Sequence, residues 1–402
     1  MTAGIDAELR AAFEAATEFI ESPAGLACRI RQRARKRRRH TLVATLAAGA
    51  VLLAATGVAY VTTGGQQAPA ASGDNPGRAT WTSLSLDYQV SQLAVSGRYL
   101  YVMSGQADSG QIGTLTLYDR TSGRLIRTAN QPATAVAFAV GPGGFVWLVY
   151  MGSGTRARIG IWLLTPDLRR HSAFPGRVGN VIVPASRTTA WIPVQRGLYR
   201  VSLPTPGKTG RATVVLQRGT SIGAPRNTAP GSWAGVLDGQ VVVQVTDGGG
   251  LNSHLVIAGQ PGVTFGGSAQ TQIFSAARVG SSLWVSTFTV RNGAAELQGP
   301  LARVNAHLQP TTPASVAASS VLARSDGVWS YGSTVWAASR ANGHSLVCFA
   351  AGSQIGPVTT VPVRGEVTAV AATADRVYVT AEHVLGSPPD TITSYPVPAA
   401  CR

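Results

Sequence analysis

Lysine is nearly missing from this sequence: of 34 basic residues only Lys36 and Lys208 are lysines, and the other 32 are arginines. Acid is scarce as well. The 402 residues carry 18 carboxylates, and the 12 found between residues 79 and 402 are too scattered for any two to be assigned to general acid and base work. The three cysteines are not clustered as zinc ligands must be: Cys28 stands alone, and no His-x-x-x-Cys-x-x-Cys string is present. No Gly-x-Ser-x-Gly elbow stands in a helical context, and Gly152, Ser153 and Gly154 are half of such an elbow that reads as loop. The Asp247 to Gly250 stretch lacks the alternating carboxylates of a calcium loop and reads as a hairpin turn.

What is present begins with one long apolar run. Residues 41–63 contain no charged side chain, and eight basic residues lie just before them, in 29–39. At 1.5 Å rise per residue about 20 residues cross a bilayer's hydrocarbon core. The run therefore reads as a single transmembrane helix. Arg35, Lys36, Arg37, Arg38 and Arg39 form its positive-inside anchor, held by anionic lipid at about 1 kcal/mol per basic residue. A nucleic-acid role for these arginines is set aside because they abut the apolar run. Residues 68–70 resemble a signal-peptide cleavage site, but a basic region 40 residues long does not suit a signal peptide. Residues 1–40 are then a cytosolic tail, with Ile5, Leu9, Phe13, Ala16 and Ile20 at helical spacing and Pro23 ending the helix. Residues 64–78 are a flexible linker rich in Gly, Pro and Ala.

Residues 79–402 repeat. An apolar strand, a tight turn and a second strand centred on an aromatic or Val recur at Tyr101, Trp147, Trp191, Val242, Trp284, Trp336 and Tyr378, at intervals of 42 to 52 residues. Further strand-like segments follow each copy, expected at 114–119, 159–164, 198–203, 254–258, 300–304, 345–350 and 391–395. Seven copies of this length match seven four-stranded blades, so the fold class is all-β, a seven-bladed β-propeller. A β-sandwich also has regular short strands, but does not return one hairpin seven times. The last copy ends at Arg402 with no room for a fourth strand. Residues 80–86 have strand character and are expected to supply it, closing the ring. Cys348 falls on the third strand of the sixth copy and Cys401 just after that of the seventh, so a disulfide beside the closure is expected. Cys28, on the cytosolic side, is expected to stay reduced. The aromatics Trp147, Trp191, Trp284, Trp336 and Tyr378 share one repeat position and read as blade core, not as a stacking platform.

The layout of basic tail, single span and exported propeller resembles that of actinobacterial single-pass membrane proteins, some of which accompany extracytoplasmic-function sigma factors. The Arg-for-Lys bias and the 46 glycines resemble the usage of high-GC bacteria. Tyr118 and Asp119 followed by Thr121, Ser122 and Gly123 resemble the turn between third and fourth strands in bacterial propellers. The Ser-x-Asp-x-Gly-x-Thr-Trp box of sialidase propellers is not matched, since Ser325, Asp326, Gly327 and Trp329 lack its spacing.

Propellers place ligands on the face formed by the loops after the second and fourth strands, an expectation at the level of fold. Here the loops after the second strands supply Asp108, Arg156, Arg158, Asp247, His254, Arg291, Glu296, Arg340, His344, Glu382 and His383. Glu382 and His383 are the single adjacent His and carboxylate pair in the domain. The expected function is a membrane-anchored binding or sensing module of the cell envelope, not an enzyme and without a cofactor or metal. Its expected partners are the lipid bilayer and an envelope ligand or protein, not nucleic acid. An envelope lyase or hydrolase on the same scaffold, and a regulator coupled to a sigma factor, are the alternatives. Residues 79–402 carry a net +12, which attracts anionic envelope polymers and lipid headgroups or simply keeps the surface soluble.

Overall fold

The computed structural model describes residues 81–402, apart from 87, 89, 105–112, 130–133, 152–158, 176–180, 195–196, 203–212, 224–228, 247–251, 269–270, 292–293, 341–343, 353, 364 and 383–390. The tail, the apolar run at 41–63, the anchor arginines and the linker all lie outside the described residues. Among the described residues no helix is long and apolar enough to cross a membrane.

Seven antiparallel sheets form seven blades. Strand β1 (Ser83–Ser85) comes first in the chain. Blade 1 is β2 (Val90–Ser96), β3 (Tyr99–Ser104), β4 (Leu115–Asp119) and β5 (Leu125–Thr128). Blade 2 is β6 (Thr134–Val140), β7 (Val146–Met151), β8 (Ile159–Leu164) and β9 (Arg170–Pro175). Blade 3 is β10 (Val183–Pro184), β11 (Thr189–Val194), β12 (Gly197–Ser202) and β13 (Thr213–Leu216). Blade 4 is β14 (Ala229–Leu237), β15 (Gln240–Thr246), β16 (Ser253–Ile257) and β17 (Gln260–Gly266). Blade 5 is β18 (Gln272–Val279), β19 (Ser282–Arg291) and β20 (Ala294–Val304). Blade 6 is β21 (Ser325–Tyr331), β22 (Thr334–Ser339), β23 (Ser345–Ala350) and β24 (Thr359–Pro362). Blade 7 is β25 (Glu366–Ala372), β26 (Arg376–Glu382) and β27 (Thr391–Pro396), completed by β1.

The sequence explains why these segments pair. A blade is covered on both faces by its neighbours, so its middle strands are apolar throughout instead of alternating. Every residue of β22 is buried, and Leu346, Val347, Cys348 and Phe349 of β23 are fully buried. Tight turns complete the hairpins. Asp238 and Gly239 both take positive φ (47° and 78°), the geometry that matches the right-handed twist of flanking strands. The repeated central position is core: Tyr101, Trp147, Val242, Trp284, Trp336 and Tyr378 are each at most 1% exposed. Trp284 meets Phe349 of the next blade edge to face, ring centres 5.0 Å apart.

Trp191 is the exception, being only partly buried. Its inner neighbour β10 pairs through just Val183 and Pro184, too short to cover the indole, and Arg200 lies over the ring at 5.9 Å. Blade 5 differs too. No fourth strand pairs with β20 among the described residues. The chain instead makes a short helix α1 (Ala314–Ala317) and a 3-10 turn (Ser320–Leu322), which bury Val316 and Leu322 against the blade 5 and 6 core. Pro310 and Pro313 in this stretch lack the N–H donors that a fourth strand would use. Strand β20 also starts at Ala294, earlier than the expected 300.

The ring closes as expected. β1 pairs with β27 through Ser83–Thr393, Leu84–Ile392 and Ser85–Thr391. Trp81 rivets the seam: its ring centre is 5.6 Å from that of Tyr378 in blade 7, and its indole N–H donates to the Arg120 carbonyl in blade 1 at 2.9 Å. Gly123 abuts the same indole. A Cβ there would sit 3.0 Å from it, and the positive φ of 69° already favours glycine. Asp119 orders that turn by accepting from the N–H groups of Thr121 and Ser122 and from the Ser122 hydroxyl, with Arg98 at 2.8 Å.

Cys348 and Cys401 are bonded, with Cα atoms 5.8 Å apart and a separation of 53 positions in sequence. The bridge ties the chain end to blade 6, on the flank of blade 7 opposite blade 1. A loop of that length stabilises by about 4 kcal/mol in the chain-entropy picture. Cys401→Ser is therefore expected to lower the unfolding free energy by about 2–4 kcal/mol. The loss should be read by denaturant titration, and reductant should reproduce it in the parent but add nothing in the variant.

Candidate functional site

Strand direction alternates within a blade. Loops after second and fourth strands therefore gather on one face, the loop face, and turns after first and third strands on the other. First strands begin at the loop face, and six of the seven carry a bulge close to that start. Pairing skips between Val90 and Gln92, Ala135 and Ala137, Pro230 and Ala234, Ile273 and Ser275, Ser325 and Gly327, and Val367 and Ala369. A bulge leaves a residue unpaired and re-aims its side chain. Ser91, Phe274, Asp326 and Thr368 are such residues, one on each of blades 1, 5, 6 and 7.

Two of them are satisfied within their own blade. The Ser91 hydroxyl donates to the Met103 carbonyl at 3.2 Å, and the Thr368 and Thr380 hydroxyls lie 2.9 Å apart. Phe274 is 45% exposed. Asp326 reaches out of blade 6's inner strand to Arg340, which directly follows β22. The guanidinium donates through Nε to Asp326 and through Nη2 to Glu366, the first residue of blade 7's β25. One arginine thus joins carboxylates of two blades at the mouth of the central channel. Exposure grades across the cluster, with side chains 13% exposed at Asp326, 34% at Arg340 and 38% at Glu366.

The local backbone is built to present Asp326. Gly327 follows the bulge, and a Cβ there would fall 2.5 Å from the Trp329 indole, so the strand can pack only with glycine at this place. The Val328 N–H donates to the Ser275 hydroxyl of blade 5 at 2.9 Å, and the Ser330 hydroxyl to the Arg278 carbonyl at 2.7 Å. These bonds lock the inner strands of blades 5 and 6 side by side, with Phe274 and Asp326 each at the bulge near its own strand's loop-face start. Burial pushes the Asp326 carboxyl above the ordinary aspartate value of 3.8. The Arg340 charge and hydrogen bond oppose the rise, Glu366 adds to it, and His344 opposes it.

The structure sorts the expected ligand-face residues. Arg340 forms this cluster, and His344, just before β23, acts on Asp326 only as a nearby charge. His254 does not: it lies on β16 in blade 4, packed against the backbone of Gly267. Arg291, Glu296 and Glu382 stand within β19, β20 and β26 instead of in loops, because the hairpins of blades 5 and 7 run longer than expected. Glu382 is the register partner of Glu366. Asp108, Arg156, Arg158, Asp247 and His383 lie outside the described residues. The single Gly-x-Ser-x-Gly string, at 219–223, is in the loop after β13, where the Ser221 hydroxyl accepts the Gly223 N–H at 3.2 Å. No group of three His, Cys, Asp or Glu able to hold a metal ion occurs among the described residues. Asp326 and Glu366 were missed in the sequence because they sit in first strands, not in loops. The Asp-Gly pair inside an apolar strand was the available signal, since a strand glycine marks a bulge.

No protein-family model matches the sequence, and neither does any curated protein. Solved structures similar to it include hydrazine synthase of Kuenenia stuttgartiensis, 12% identical with a TM-score of 0.48 over 81% of this chain and 100% of that one. The β-propeller domain of the Trilobed protease from Pyrococcus furiosus is 10% identical with a TM-score of 0.48, over 78% and 99%. BamB from Moraxella catarrhalis is 10% identical with a TM-score of 0.39, over 77% and 85%.

A pH-dependence follows from Asp326. Its folded-state pKa is raised, so the folded protein keeps a proton that the unfolded chain has released, and this stabilises the acid side. The contribution is lost as pH rises from 3.8 through the raised value. Asp326→Asn removes the titration. Unfolding free energies measured at steps from pH 4 to 7 should show the parent losing stability relative to Asp326→Asn as pH rises, and parallel curves would contradict this.

Proposed function

We propose that the propeller is a binding module whose recognition centre is the blade 6 and blade 7 corner of the channel mouth. The observation that carries this is Arg340 bridging Asp326 and Glu366 across two blades while a third of its own side chain stays open. Two-pronged, charge-assisted contacts of this kind give specificity through fixed geometry. Both carboxylates are engaged by the same guanidinium, an arrangement suited to presenting fixed acceptors and donors to a ligand more than to moving protons. Phe274 offers an exposed aromatic surface at the loop-face start of the neighbouring inner strand, and ligand sites combine apolar bodies with few polar contacts in this way. The same reading makes the protein a binding module without catalysis.

The sequence supports an envelope location. Residues 41–63 are uncharged with basic residues immediately before them, which favours a single span with the N-terminus in the cytosol and the propeller outside. The Cys348–Cys401 bond fits an oxidising compartment. The partner is accordingly an envelope ligand or protein.

The test uses conservative changes at the cluster. Arg340→Lys keeps the charge but loses the two-pronged geometry, and Glu366→Gln removes one acceptor at a half-exposed site. Co-sedimentation of the full-length protein with envelope material is expected to weaken by about tenfold or more in each. Arg200→Gln on blade 3 should bind as the parent. Unchanged binding by both cluster variants, with unchanged melting curves, would refute the assignment.

A further inference from the structure

A second polar site lies on the outer rim where blades 1 and 2 meet, and plays no part in the channel mouth. It is a cavity of about 260 Å³ floored by Trp162, Leu164 and Leu168 and walled by Arg127, Arg169 and Arg170. The floor is rigid. Each of its three side chains is at most 4% exposed, and the Tyr101 hydroxyl of blade 1 donates to the Pro166 carbonyl of blade 2 at 2.9 Å. Arg170 lies over the Trp162 ring at 5.6 Å, which fixes its guanidinium on the cavity wall.

The charges here are unequal in their partners. Arg169 is held by Asp167 at 2.8 Å, and Asp167 in turn accepts the Thr165 hydroxyl at 2.6 Å. That hydroxyl, followed by the Arg169 and Arg127 charges, holds the Asp167 carboxyl below its ordinary value against the effect of burial. No carboxylate among the described residues forms an ion pair with Arg127 or Arg170. The Nε of Arg127 is buried and makes no hydrogen bond among the described residues. A buried charged donor without an acceptor is costly, and a planar guanidinium fork matches tetrahedral oxyanions. Three arginines against one carboxylate leave the cavity wall net positive in a domain already carrying +12.

We propose that this cavity binds a phosphate oxyanion, with Arg127 and Arg170 as donors and Arg169 as the flanking charge. The group can arrive as free inorganic phosphate or as the phosphodiester of an anionic polymer, and the chemistry of the site is the same for both. The experiment is calorimetric titration of the full-length protein in neutral-lipid nanodiscs at fixed ionic strength, with inorganic phosphate and, separately, with poly(glycerol phosphate). Saturable binding is expected, weakened about tenfold or more by Arg127→Gln and by Arg170→Gln, and unchanged by Arg200→Gln. Tighter binding of the polymer per phosphate identifies the phosphodiester as the source, and equal or tighter binding of inorganic phosphate identifies the free ion. Arg170 is exposed, so its variant keeps the site testable if Arg127→Gln fails to fold. Non-saturable heats with both ligands, or parent-like binding by a folded Arg170→Gln protein, would overturn the site.

Discussion

Ring closure is the constraint on which the rest of this structure depends. Each blade buries both faces against its neighbours, so a missing contact at the seam would expose the flanks of blades 1 and 7 together and leave an open strand edge. The closing pairing is short, three residues of β1 on β27. It is backed by Trp81, which touches blade 7 through Tyr378 and blade 1 through Arg120 and Gly123. Arg120 is itself 5% exposed and lies 3.7 Å from Asp375 of blade 7. The disulfide then secures the other flank of blade 7 by joining the chain end to blade 6.

That closure also positions the candidate site. Strand β22 is anchored at its turn-face end by the Thr334 hydroxyl, which donates to the Cys401 carbonyl, and it carries Arg340 just beyond its loop-face end. The same strand therefore connects the covalent staple to the charged cluster. A guanidinium bridging blades 6 and 7 holds its geometry only if those blades are fixed relative to one another, and they are fixed at both ends. Recognition groups mounted on strand ends are more firmly placed than groups on long loops.

The repeat was legible in the sequence because burial on both faces makes the middle strands continuously apolar, as in β22 and β23, and because tight turns punctuate them. The circular closure and the cysteine pairing were legible for a topological reason: one blade short of a strand and one strand short of a blade have a single economical solution. The bulges were not legible, since a bulge is a register event between two strands and leaves only a weak mark such as Gly327. The Asp326, Arg340 and Glu366 cluster was half legible. Arg340 was named from its loop position, but its carboxylate partners come from two inner strands that only the ring geometry brings together. The reduced blade 5 escaped notice because Pro310 and Pro313 interrupt a stretch whose length alone would have fitted a fourth strand.

The central claim is that recognition takes place at the loop face beside Asp326, Arg340 and Glu366. Two exposed aromatics allow a direct comparison: Phe274 at 45% exposure at the loop-face start of β18, and Tyr331 at 44% at the turn-face end of β21. A photoreactive phenylalanine analogue can replace either one in the full-length protein, followed by irradiation with envelope material. Covalent adducts from position 274 and none from position 331 are the predicted result. Adducts from position 331 alone, or equally from both, would contradict it.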